Sequence, residues 1–211
     1  MKTDDLIASL AADAPVQRPL RRLFAAATVL GAIGAFILFM LTLGPREDMD
    51  YALRTVRFDL KCAIMLLFAV TAFLVARDMT RPEVIRSPLR PLLWAAPALL
   101  LLAVIVELVV VPQDQWMPRL VGHNMMYCTT MIPVFALVPL ALMLWVFRRG
   151  APQNPTRAGA VAGLLAGGIG ATFYAMHCFD DSPLFVATWY TLAIAFIAGV
   201  GALLGSRFLR W

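Results

Sequence analysis

The chain has 211 residues, of which 61% are hydrophobic and 15% charged, with a mean hydropathy of +0.79. A soluble domain is closer to 45–50% apolar and 25% charged, so this composition excludes one, along with disorder, collagen and a disulfide scaffold. The formal net charge of +5 comes from arginines flanking apolar runs, so a direct nucleic-acid binder is excluded as well. What remains is an integral membrane protein.

In chain order, residues 1–22 form a polar lead-in, and residues 23–211 form a single all-α transmembrane domain, a polytopic bundle of six helices. In the lead-in, Thr3 can cap a short helix. Asp4 and Asp5 in its first turn are favourable at the positive end of the helix dipole. Leu6, Ile7 and Leu10 share one face before Pro15 ends the run. So short a helix gains order only by docking, on a partner or on the membrane surface, and both readings stand.

The spans are read at 23–43, 58–76, 91–111, 125–147, 158–178 and 183–205. The first ends at Gly44-Pro45 and is too long, with no small-x-small site after it, for a cleaved signal peptide. The second has its uncharged core from Cys62 to Ala76, and Lys61 is expected to snorkel. The third is interrupted by Glu107 near its outer end, where water in the loop is within reach of a carboxylate. A packing or interface role for Glu107 is preferred to a proton relay. No gap is long enough for a soluble domain.

Loop charges orient the bundle. With the termini in the cytoplasm, thirteen of the eighteen Lys and Arg residues fall on the inner side and five on the outer. The positive-inside rule therefore places both termini in the cytoplasm. The first outer loop, with Arg46, Arg54, Arg57 and Lys61, runs against that count. Trp94, Trp145 and Trp211 mark the inner boundary, and the four tyrosines lie toward the outside. The basic segments 77–90 and 148–157 are expected to meet membrane lipid.

All three cysteines and both histidines fall at outer helix ends. Spans four and five are joined by about ten residues and should be antiparallel neighbours. Nineteen steps separate Phe147 from Cys128, and twenty separate Ala158 from Cys178. At 1.5 Å per residue both thiols stand about 29–30 Å above the connecting loop. Gly159, Gly163 and Gly167 give span five a small-residue stripe that permits close helix packing. A disulfide needs Cα atoms about 4.4–6.8 Å apart, less than ordinary helix separations of 8–10 Å, so close approach matters. Cys128 and Cys178 are thus either a redox pair, a soft-metal site completed by His177 and His123, or buried packing residues. Cys62 sits about a turn deeper and reads as packing. No resident cofactor is expected; transient heavy-metal binding at the thiols is the nearest thing to one.

Three runs carry a family resemblance: the start, with Asp4, Asp5, Leu6, Ile7, Leu10 and Asp13; span four, with Cys128, Ile132, Pro133 and the Arg148–Pro152 turn; and the run HCFDDSPLFVATWY from His177 to Tyr190. Together they resemble the NrsF (negative regulator of sigma F) family of six-span bacterial membrane anti-sigma factors. The resemblance implies a regulator and no enzyme, holding an extracytoplasmic-function sigma factor at the cytoplasmic face. Oxidative or heavy-metal stress sensed outside would release it. The family's paired cysteines correspond to Cys128 and Cys178, and its sigma-binding segment to Met1–Asp13. The alternative from another class is a membrane thiol oxidoreductase coupled to quinone. That activity normally uses a C-x-x-C pair, which this chain lacks.

Overall fold

A computed structural model describes residues 20–80, 87–150 and 152–209. Asp4, Asp5, Leu6, Ile7, Leu10 and Trp211 lie outside the described residues. Six helices are long and apolar enough to cross a membrane: α1 Leu20–Thr42, α2 Val56–Asp78, α3 Arg90–Val110, α4 Met125–Gly150, α5 Pro155–Ala175 and α6 Pro183–Phe208. All six expected spans are present, and no strand occurs among the described residues. Two short helices, Met49–Ala52 and Trp116–Val121, lie in the α1–α2 and α3–α4 connections.

The helix count gives the bundle two ends. The loop end holds the α1–α2, α3–α4 and α5–α6 connections, and the terminal end holds the start of α1 and the end of α6. α5 is the most buried helix and α3 the least. α5 packs on α6, α4 and α2, whereas α3 rests mainly on α2 and on the first turns of α6.

Small residues explain the central place of α5. A Cβ on Gly159 would collide with the Gly201 carbonyl oxygen, and one on Gly163 with that of Ile197. Gly201 and Gly205 answer from α6, where their own Cβ positions are filled by the α5 backbone. The stripe Gly159–Gly163–Gly167 therefore faces α6, and it does not make the α4 contact that would draw the thiols together. That contact falls to Gly170, where a Cβ would stand 2.6 Å from the Ile132 carbonyl oxygen of α4. α1 meets α4 similarly: Gly31 accommodates Pro139, and Gly34 accommodates Val138. Without a hydrophobic force between helices in lipid, such backbone approach is what van der Waals packing can use.

Two apolar clusters fill the interior. Phe24, Phe147, Ala158 and Leu209 belong to the one at the terminal end. Phe39, Cys128, Tyr174, Cys178 and Tyr190 belong to the one at the loop end.

Candidate functional site

The site is the loop that returns the chain from α5 to α6, residues 176–182, with everything it touches. Residues 158–178 were read as one span, but the helix ends at Ala175. His177 and Cys178 therefore stand in the loop, where the Cys178 amide still donates to the Tyr174 carbonyl at 3.0 Å. That turn drops the Cys178 side chain back into the bundle. Cys128, in the first turn of α4, reaches the same cluster. Both thiols are 0% exposed, as are Tyr174 and Tyr190 around them. All three cysteines are free, and Cys62 is half-buried at the cluster's edge. Burial pushes the Cys178 thiol up, so it is protonated at neutral pH and unreactive while the loop stays closed.

Tyr190 ends a five-residue π-helical stretch, Val186–Tyr190, inside α6. The widened turn carries its ring into the thiol cluster against Tyr174, with centroids 5.8 Å apart. Its hydroxyl is wholly buried, with the Cys178 thiol as its polar neighbour. π-turns of this kind concentrate at functional positions in other helical proteins.

Above the thiols lies a closed lattice of ions. Arg46 donates to Asp48 through Nε at 2.6 Å and to Asp181 through Nη1 at 2.9 Å. Its guanidinium stacks on Phe179, 4.6 Å from the ring centroid. Asp48, followed by Asp181, holds that guanidinium charged against the opposing effect of burial. Arg46 in turn holds the Asp48 carboxyl below its ordinary value. Lys61 donates to the Cys178 carbonyl at 2.7 Å and pairs with Asp181. Lys61 is only 2% exposed, so the expected snorkelling toward water does not occur: its amine finds Asp181 and a loop carbonyl inside the protein.

The neighbouring aspartate works on the other side of the loop. Asp180 Oδ2 accepts the His123 and Asn124 amides at 3.0 and 2.8 Å and the Asn124 side chain at 3.0 Å. These are orphan donors at the start of α4, so the carboxylate caps that helix. Gly122, at φ +59, makes the approach feasible, since a Cβ there would strike the Phe185 ring and Asp180.

Glu107 is a second buried charge, in the packing role preferred for it. It is 4% exposed and does not face water. Its Oε2 accepts Ser182 Oγ at 2.8 Å and the Leu184 amide at 3.2 Å, while Oε1 meets Arg119 at 3.2 Å and Arg57 at 3.4 Å. It anchors the start of α6.

The histidines are not brought to the thiols. His177 Nδ1 lies 3.0 Å from the Gly44 carbonyl. His123 is 95% exposed in its side chain, beside Asp180. Among the described residues no three His, Cys, Asp or Glu side chains gather in a metal-holding group. Arg46 and Asp181, which close the lattice, were missed as site residues. The signal was there in a loop of four basic residues on the side where the charge count wanted none.

The match to known proteins coincides with this geometry. The model of the family described as NrsF, negative regulator of sigma F, matches residues 10–211. The chain belongs to the NrsF family. Curated NrsF relatives align over all of both chains: "Anti-sigma-F factor NrsF" of Caulobacter vibrioides (strain NA1000 / CB15N) at 34% identity and "Probable anti-sigma-F factor NrsF" of Azospira oryzae (strain ATCC BAA-33 / DSM 13638 / PS) at 31%. No solved structure matches. For this NrsF-family chain, the run from His177 to Tyr190 that carries the resemblance is also the run that builds the loop, the cap on α4 and the π-turn.

Proposed function

We propose that this chain is a multi-pass anti-sigma factor of a bacterial inner membrane. It holds an extracytoplasmic-function sigma factor at its cytoplasmic face and releases it when Cys128 and Cys178 are oxidised or bind a soft metal. The observation that carries the reading is the full-length likeness to relatives named as anti-sigma-F factors. The docking segment is the lead-in with Asp4, Asp5, Leu6, Ile7 and Leu10. Both termini face the cytoplasm, a reading that the excess of Lys and Arg in the segments on that side supports.

In this reading the lattice is the lid over the thiols. When it opens, peroxide takes two electrons and two protons from the pair, leaving one disulfide and two waters. A soft metal ion instead displaces the two thiol protons and bridges the sulfurs. Either product fits the closed loop differently from two packed thiols and biases the bundle toward another state.

The test is a pull-down of the tagged full-length chain from detergent-solubilised membranes, before and after peroxide or a soft metal. A sigma factor that co-purifies and is lost on treatment is expected. The Cys128→Ser/Cys178→Ser double variant is expected to keep the sigma factor under both treatments. Full release from the double variant would discard the thiol switch. No sigma factor under any condition would discard the anti-sigma reading.

A further inference from the structure

α3 stands away from α5, and the gap is not an ordinary packing defect. Between α2, α3 and the first half of α6, with Leu164 of α5 at one side, lies an apolar cavity of about 390 Å³, walled by groups such as Met65, Leu101 and Ile194. A second cavity of about 450 Å³ lies between α2, α3 and the first half of α5. Phe68, Pro97 and Leu164 line both, so the two are one groove running from mid-membrane depth to the terminal end. At that end its lining changes character: Arg90 from the turn opening α3, Arg157 from the first turn of α5, and Trp94. Neither arginine forms an ion pair with a described residue, whereas Arg46, Arg57, Lys61 and Arg119 all do. Trp94 is 72% exposed, in the manner of an interfacial anchor.

We propose that this groove is a specific site for one anionic phospholipid. One acyl chain lies along Leu101, Pro97 and Leu164, and the headgroup phosphate sits between Arg90 and Arg157. The upper part presents no polar side chain besides Thr191, so water gains nothing there, and a slot open sideways to hydrocarbon fills with hydrocarbon. The lower part presents two guanidiniums from different helices, neither paired with an acid among the described residues, and guanidinium is the side chain best matched to phosphate. Basic pockets between membrane helices select anionic headgroups. A free phosphate ion would use the arginines and leave the apolar half of the groove empty; the lipid uses both. The bound lipid joins α3 to α5, a pair the protein itself leaves loosely packed. The proposal is independent of the sigma-factor reading.

The experiment is native mass spectrometry of the full-length chain in detergent, titrated separately with phosphatidylglycerol and with phosphatidylcholine of the same acyl chains. Inorganic phosphate serves as a competitor. At about tenfold or more per pair of arginines, phosphatidylglycerol is expected to bind about 10- to 30-fold more tightly than phosphatidylcholine. Arg90→Gln/Arg157→Gln is expected to abolish that preference without weakening phosphatidylcholine. Arg90→Lys/Arg157→Lys is expected to retain most of it, which separates charge from a folding defect. Ala160→Trp, which fills the lower slot, is expected to weaken both lipids alike. Equal binding of the two lipids by the unaltered chain would overturn the site, as would an undiminished preference in the glutamine variant. Displacement of phosphatidylglycerol by equimolar inorganic phosphate would reassign the site to the free ion.

Discussion

Asp181 is where the lattice over the thiols is most easily cut. Its carboxylate joins Arg46, whose side chain is 6% exposed, to Lys61, whose side chain is 1% exposed. In Asp181→Asn the shape is kept and the charge removed. Arg46 keeps Asp48, but Lys61 keeps the Cys178 carbonyl and the Phe58 ring with no anion beside it. Removing one partner from a buried pair costs about 3–5 kcal/mol. Asp181 retains 18% exposure, so about 2–3 kcal/mol is the appropriate figure at this partly screened site. If that cost falls on the closed loop, its opening becomes about 30- to 150-fold more frequent, at 1.4 kcal/mol per factor of ten. The assay is the rate of maleimide labelling of Cys178 in detergent, in a Cys62→Ser/Cys128→Ser background, normalised to the rate in denaturant. Labelling should accelerate by about the same 30- to 150-fold, because modification of a buried group follows the population of its open form when closing is fast. A rate within threefold of the unaltered loop would refute the idea that this lattice occludes the thiol.

The remaining predictions concern the supports around that loop. Gly159→Ala puts a methyl into the α6 backbone and should lower stability by about 1–3 kcal/mol, whereas Gly199→Ala meets open space and should stay within about 0.5 kcal/mol; thermal unfolding in one detergent compares them. Glu107→Gln leaves Arg119 and Arg57 without their carboxylate and should lower the midpoint of unfolding well beyond the Gly199→Ala control. Arg46 depresses the Asp48 carboxyl, so that group contributes stability above the ordinary carboxylate range. The contribution is lost as pH falls below about 4. Labelling of Cys178 should therefore speed up on acidification to that range, measured with a reagent of pH-independent reactivity, and Asp48→Asn should flatten the acid limb.

The number and rough limits of the helices were legible because hydrocarbon imposes a length and a composition that no neighbour can override. Each span was placed to within a few residues at its ends. The level placement of Cys128 and Cys178 was legible for a related reason: rise per residue is fixed, and both residues were counted from one short connection. Direction around the helix axis was not legible. Gly159, Gly163 and Gly167 announce close packing on some neighbour, but nothing local says that it is α6 rather than α4. The same limit explains Lys61, which was expected to snorkel toward water, and Glu107, for which a packing role was read without its partners. Their partners, Asp181 and Ser182 with Leu184, lie 120, 75 and 77 residues away in sequence. The tyrosines divide likewise. Tyr51 and Tyr127 are exposed at 69% and 60%, while Tyr174 and Tyr190 are wholly buried. An aromatic belt and a thiol cluster use the same residue type at the same depth.

The proposed switch has to carry a change from one end of the bundle to the other, and magnitudes restrict how. A disulfide contributes about 2–4 kcal/mol, while moving a two-state bundle from 1:99 to 99:1 takes about 5.5 kcal/mol. A pair of thiols can therefore complete the transition only if the closed state is favoured by much less than that at rest. The lattice has the right character for such a balance. Asp181 binds two cations yet keeps a solvent-facing side, and the Cys178 thiol beneath donates a long contact of 3.9 Å to the Asp180 carbonyl. The change also has a short route. Cys178 is three residues beyond the end of α5, and α5 is locked to α6 from Gly167 at one end to Pro155 at the other, where the Gly205 Cβ position meets the Pro155 carbonyl. Ala158, near the start of α5, shares the terminal-end cluster with Phe24 and Phe147. Phe24 belongs to the first turns of α1, and its ring packs on Phe147 with centroids 5.1 Å apart. A close-packed helix shifts as a rod rather than absorbing strain locally. In the proposed switch, a displacement of α5 at the thiols would therefore reach Phe24 at the start of α1 without any intermediate that must itself unfold.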